Sequence, residues 1–298
     1  MNNRPIFLLL ILTLMLVSCQ DQIKTKESKK DNSVISNEEI DRKNLDESLV
    51  KTNRKWDSLT EQLKNKGLSK TQEDSLRTLF NDNKKQQEII FQDFILKNPN
   101  SLVSIETLNG FKFSWGKGIT EKLFKSLSPA IKSTDKGEII QEYIKYYRNP
   151  EISDRYSDFI LPDTKGDTIR LSNNLNDYTL LEFWASWCSG CRKEHPELIQ
   201  VYEKYKDRKF TVIGISSDTN DENWLNAIEK DNLPWTNLRD PNGRESIVQY
   251  QYGIHVVPTN FLIGPNKTII AKDINPKELD KILKVELGET SYNISFSK

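Results

Sequence analysis

Two cysteines three positions apart, in Trp187-Cys188-Ser189-Gly190-Cys191, are the residues of this chain best suited to chemistry. They follow Tyr178 to Trp184, an apolar run that suits a buried strand, and they precede a helical stretch over Glu197 to Tyr205. A cysteine at a helix N-terminus faces unpaired backbone amides and the positive end of the helix dipole, and both favour thiolate over thiol. Cys188 is therefore the expected nucleophile. Cys191 lies about one turn into the helix, within reach of a mixed disulfide on Cys188, and is the expected resolving thiol. Glu182 precedes Cys188 by six on the strand and should sit beneath the pair. An apolar setting there raises a carboxyl pKa and lets it exchange a proton with Cys191. Pro196 falls inside the helix and should kink it. Pro258, in Val256-Val257-Pro258-Thr259, precedes a strand, where a cis proline can close a turn beside the cysteines.

Other chemistry-bearing residues are scarce. The chain has 298 residues, three cysteines and two histidines, with 43 basic and 43 acidic side chains. Neutrality offers no general field for nucleic acid, and two histidines cannot furnish an all-histidine metal site. His195, four residues after Cys191, makes a Cys2His2 or copper-chaperone site geometrically conceivable. The simpler reading makes His195 a partly exposed helix residue and His255 a loop residue, with no metal and no cofactor expected. Trp184 and Trp187 read as packing under the motif. Glu194 sits on an early helical turn, where a carboxylate gains from the dipole whatever else it does; the other reading gives it a tuning role at the dithiol.

The elements that must position these groups show two textures. Leu45, Leu49, Trp56, Leu59 and Leu63 recur at helical spacing up to Gly67, and Ser69 with Gln72 has the form of a capping box opening a second helix through Lys97. Shorter helices are expected near 102–108, 119–127 and 138–147, separated by Asn109-Gly110 and Ser128-Pro129, with a boundary at Arg148-Asn149-Pro150. Beyond it the pattern alternates. A hairpin is expected across 159–171, then strands at 178–184, 210–215, 259–263 and 268–271, and helices at 197–205, 222–230 and 276–287. That order describes an α/β fold with a central mixed sheet and helices on both faces, preceded by an all-α region. The half before residue 150 has an excess of basic residues and the half after it an excess of acidic ones.

The N-terminus reads as an export signal. Arg4 heads an apolar run from Ile6 to Val17, shorter than the ~20 residues a helix needs to span ~30 Å of hydrocarbon. It ends in Leu16-Val17-Ser18-Cys19, which resembles the bacterial lipoprotein signal, in which the cysteine is lipidated and becomes the first mature residue. This implies a signal peptide at 1–18, a lipidated Cys19 with a tether over 19–44, helices over 45–150, an α/β domain over 151–288 and a tail over 289–298. Residues 20 to 44 are too polar to repay the entropy of ordering.

From residue 151 to about 288 the chain resembles the TlpA/ResA-like thiol-disulfide oxidoreductases of the thioredoxin superfamily. The resemblance rests on Leu181-Glu182-Phe183-Trp184-Ala185-Ser186-Trp187-Cys188, on Cys191-Arg192-Lys193-Glu194-His195-Pro196, on Trp224 and Trp235, and on Gly253 through Pro258 into Phe261-Leu262-Ile263. It implies a thioredoxin-like fold, a cis Val257–Pro258 peptide that pairs with a bound substrate strand, and a second acid near the dithiol at Glu194. Trp187, Val257 and Pro258 are the expected substrate contacts. The family more often has Asp-Pro and a glycine turn where this chain has Gly264-Pro265-Asn266, and Ser189-Gly190 lacks the proline common in that slot. The helices before residue 150 are similar to those preceding such domains in Bacteroidetes lipoproteins. The implied activity is reduction of disulfides in exported proteins by an envelope protein anchored through Cys19 and facing the periplasm, recharged by a membrane electron donor. A disulfide oxidant or isomerase, a metal-binding chaperone and a thiol peroxidase are the alternatives.

Overall fold

The structure, a computed structural model, describes residues 37–288. The expected signal segment, the lipidation candidate Cys19, the tether up to residue 36 and the tail over 289–298 lie outside them. Helix α1 (Glu38–Leu63) begins at Asn37, whose side chain accepts from the amides of Glu39 and Ile40. Residues 38–44, expected as tether, are instead its first turns. The acidic first turn suits the helix dipole, and Leu45 and Leu49 bury the face that follows. Helix α2 (Lys70–Lys97) carries the expected capping box at Ser69 and Gln72 and runs about 42 Å. Trp56 packs on Phe80 at 3.9 Å between ring centroids, and Asn83 donates to the Thr52 carbonyl at 2.9 Å, closing α1 and α2 into a hairpin.

Helix α3 (Leu102–Ser126) passes straight through Asn109-Gly110, where a break was expected. The interruption comes at Gly116, whose φ of 73° lies in the left-handed region. Leu108 and Lys112, one turn apart across the expected break, are both buried, so packing holds the helix where local turn propensity would end it. A short α4 (Pro129–Lys132) and α5 (Asp135–Tyr146) complete the helical region.

The α/β part opens with the antiparallel hairpin of β1 (Ile160–Pro162) and β2 (Thr168–Arg170). A five-stranded sheet follows, built from β3 (Tyr178–Trp184), β4 (Phe210–Ser216), β5 (Thr236–Arg239), β6 (Thr259–Ile263) and β7 (Ile269–Lys272), in the order β5-β4-β3-β6-β7. Strand β3 is central, parallel to β4 and antiparallel to β6, and every residue in it is buried. Its alternation divides the core. Leu180 and Trp184 face α6 (Ser189–Tyr205), α7 (Asp221–Asp231) and α9 (Pro276–Glu286), whereas Leu181 and Phe183 face α8 (Ile247–Gln251) and the β1–β2 hairpin. The fold is thioredoxin-like, with a mixed sheet and helices on both faces, after an all-helical region. β5 and α8 were not expected from sequence; with four and five residues they are too short to show a period. The helices and the sheet belong to one compact unit, joined in part by a hydrogen bond from the Arg148 amide to the Tyr250 carbonyl.

Candidate active site

The site grows out of the end of β3. Three residues separate Trp184 from Cys188, and an acid fixes them: Asp218, buried just past β4, accepts from the Ser186 amide at 2.7 Å and from the hydroxyls of Ser186 and Ser216 at 2.6 Å each. The Ser217 amide donates to the Trp184 carbonyl, so the loop leaving β3 is held to the loop leaving β4. Nothing local in the sequence marks Asp218 for this, since its partner Ser186 is 32 positions away.

Cys188 is the N-cap of α6, with its Sγ accepting from the Cys191 amide at 3.1 Å. Helix α6 therefore starts at Ser189, well before the expected Glu197, because the dithiol turn is itself helical. Cys188 and Cys191 are joined by a disulfide with a Cα–Cα distance of 5.4 Å. Their exposures differ, 6% against 1%, so an incoming sulfur meets Cys188. The Val257–Pro258 peptide is cis. Pro258 lies against the dithiol turn: a Cβ on Gly190 would stand 3.7 Å from the proline Cδ.

Glu182 is buried on the α6 face of β3, paired across the strands with Gly214 and Asn260. It lines a cavity of about 10 Å³, room for one water, together with Glu194, His195 and Asn260. Burial pushes its carboxyl pKa up to about 8; the charge of Glu194 and that of Asp273 add to the rise, and a hydrogen bond from Asn260 opposes it. At neutral pH Glu182 holds its proton. Glu194 thus meets Glu182 electrostatically, and Asn260, fixed by two hydrogen bonds with the backbone of Ile274, is a partner that sequence reasoning missed.

His195 is not partly exposed: it is 1% exposed, with Nδ1 3.0 Å from Asp231, and its ring meets Trp184 edge-on. Burial lowers its pKa more than Asp231 raises it, so the imidazole is held toward its neutral form. Arg192 grips the same carboxylate with Nε at 2.8 Å and Nη2 at 2.6 Å. Asp231 is 36 positions from His195 and closes α7, which is why composition could not reveal the pairing. Trp187, unlike Trp184, does not pack under the motif: it is 57% exposed beside Cys188, with the Arg244 guanidinium 5.6 Å from its ring. Val256 is likewise exposed, two residues before Pro258. His255 is an exposed loop residue, stacked on Phe113 at 5.7 Å. Among the described residues no three His, Cys, Asp or Glu side chains gather as a metal site.

An N-capping cysteine with a helix amide on its sulfur, a shielded partner thiol and a buried carboxyl that holds a proton can carry thiol-disulfide exchange. Residues 152–272 match the AhpC/TSA family. The chain is 27% identical over 149 residues to the thiol-disulfide oxidoreductase ResA of Bacillus cereus, covering 49% of this chain and 84% of that protein. It is 32% identical over 99 residues to the thiol:disulfide interchange protein CycY of Rhizobium leguminosarum bv. viciae, covering 33% of this chain and 50% of that one. A solved thiol-disulfide oxidoreductase from Bacteroides fragilis is 38% identical, covering 45% of this chain and 99% of that chain, with a TM-score of 0.43.

Proposed function

Because residues 152–272 match the AhpC/TSA family, we propose that the chain reduces disulfides of exported proteins through Cys188 and Cys191. The chain is a thiol-disulfide oxidoreductase; the direction of transfer, the clients and the anchor are the proposal. The observation that carries it is the N-capping Cys188, its Sγ already bonded by the Cys191 amide, on the helix that packs over the sheet face bearing buried Glu182.

In the reduced protein the Cys188 thiolate attacks one sulfur of a client disulfide. A Cys188–client mixed disulfide forms, and the client's other sulfur leaves as a thiolate that takes a proton from solvent. Glu182, in the fraction of molecules where it is ionised, takes the proton of Cys191; the Cys191 thiolate then attacks the Cys188 sulfur, releasing the second client thiolate, which takes a proton from solvent. Two electrons pass to the client and the Cys188–Cys191 disulfide remains. The described state, an oxidised pair with Glu182 protonated, is the product of that step. A membrane electron donor would return the pair to dithiol, and lipid on Cys19, outside the described residues, would hold the protein in the cell envelope facing the periplasm. Among the described residues no helix is long and apolar enough to cross a membrane.

Insulin reduction by the wild type, lost in Cys188→Ser, tests the exchange. Cys191→Ser should trap clients on Cys188 as mixed disulfides and should not consume peroxide; sustained peroxide consumption would move the assignment to a thiol peroxidase. A dithiol potential near about −120 mV, that of a strong periplasmic oxidant, would reverse the direction.

A further inference from the structure

The helical region touches both segments that flank the dithiol, and it does so from two adjacent residues of α3. Lys112 is a lysine at 2% exposure. Its Nζ lies 2.8 Å from Glu245 Oε2 and 2.9 Å from Asn109 Oδ1, and it sits over the rings of Phe113 and Tyr250. Glu245 also accepts from the Tyr250 hydroxyl at 2.7 Å. Next in sequence to Glu245 is Arg244, whose guanidinium covers Trp187, the neighbour of Cys188. On the other side, Phe113 stacks on His255, from which the chain continues through exposed Val256 to the cis Val257–Pro258 peptide over Gly190.

Both arms are fixed at their roots. The Tyr143 hydroxyl donates to the Lys112 carbonyl at 3.0 Å, and Tyr143 and Phe113 pack on Tyr250. Gly243, which opens the turn bearing Arg244 and Glu245, has a φ of 55° and a tight setting: a Cβ would lie 3.0 Å from Thr219 and 3.1 Å from the Ser217 carbonyl. The turn is thus pressed against the loop that holds Ser186 through Asp218. An ion pair with one buried partner, as Lys112 is here, is weak evidence for stability and is best attested as a device that fixes register. Here the register it fixes is that of exposed Trp187, the neighbour of Cys188, against exposed Val256, two residues before the cis proline over Gly190.

We infer that Lys112 and Phe113 are specificity-determining positioning residues, and that the helical region sets the spacing of the cleft that receives a client polypeptide. The inference rests on the disulfide exchange proposed above. Lys112 acts through Glu245 and Arg244, and Phe113 through His255, so neither touches a reacting sulfur. A disulfide with no flanking polypeptide does not use that spacing, whereas a protein disulfide does.

The test compares the whole protein reducing insulin and hydroxyethyl disulfide, with dithiothreitol as electron source. Lys112→Met should raise KM for insulin by about fivefold or more, with kcat and the rate on hydroxyethyl disulfide within about twofold of wild type. Glu245→Gln, at a half-exposed site, should move the same way and carries the test if Lys112→Met fails to fold. An unchanged insulin KM in a folded variant, or equal losses on both disulfides, would overturn the inference. A wild type inert toward both would instead remove the exchange reading on which it stands.

Discussion

Glu182 is where local chemistry and pH meet. An unfolded glutamate ionises near pH ~4.3, whereas burial holds the proton of Glu182 up to about 8 in the fold. Between those values the folded chain binds the extra proton, so stability should fall as pH rises through the window, with the full penalty present above it. Glu182→Gln should therefore flatten the dependence of Tm on pH between about 5 and 8 and raise Tm at pH 8; a slope identical to wild type would mean the carboxyl is solvated. The same variant should slow release from a preformed Cys188–client disulfide by about a hundredfold, read by quenched-flow trapping. The placement of Cys188, Cys191 and Glu182 was legible because spacing along one strand and one helix start sets it, and that of Pro258 because a strand follows it. Asp218, Asp231 and Asn260 were not, because each acts on a residue brought near only by the sheet, and the neutrality of His195 follows from burial that no single residue type announces.

At the scale of elements, α3 separates local propensity from tertiary packing. Asn109-Gly110 is a turn signal, yet Gly110 lies inside the helix with no neighbouring atom within 4 Å of where a Cβ would stand, while Gly116 carries the left-handed φ. The two glycines should respond oppositely to the same change. Gly110→Ala should stabilise by about 0.5–1 kcal/mol by trimming unfolded-state entropy. Gly116→Ala should destabilise by about 1–3 kcal/mol, because a φ of 73° with a ψ of 168° lies in a region essentially reserved for glycine. Urea titrations of both would check the pair, and equal signs would move the interruption elsewhere. The hairpin, β3, β4, β6, β7 and α9 were readable because each carries a clear apolar period or turn. β5 and α8 are short, and their identity comes from pairing with β4 and packing beneath the helical region.

At the scale of the molecule, the change in sequence texture near residue 150 marks a change in architecture without separating the packing. Lys112 and Tyr143 on one side meet Glu245 and Tyr250 on the other, and Phe113 stacks on exposed His255, so the helices and the sheet should unfold together. Helical circular dichroism and tryptophan fluorescence are expected to give coincident denaturation curves; two separated transitions would show independent folding units. That the two textures would lock through a lysine was not readable, since lysines are abundant and almost all lie in water. Its burial gives the molecule a built-in clock. Amine-reactive reagents should modify exposed Lys193 readily but reach Lys112 only in the moments when helices and sheet part. The ratio of the two labelling rates then measures how often the protein breathes open beside its own dithiol.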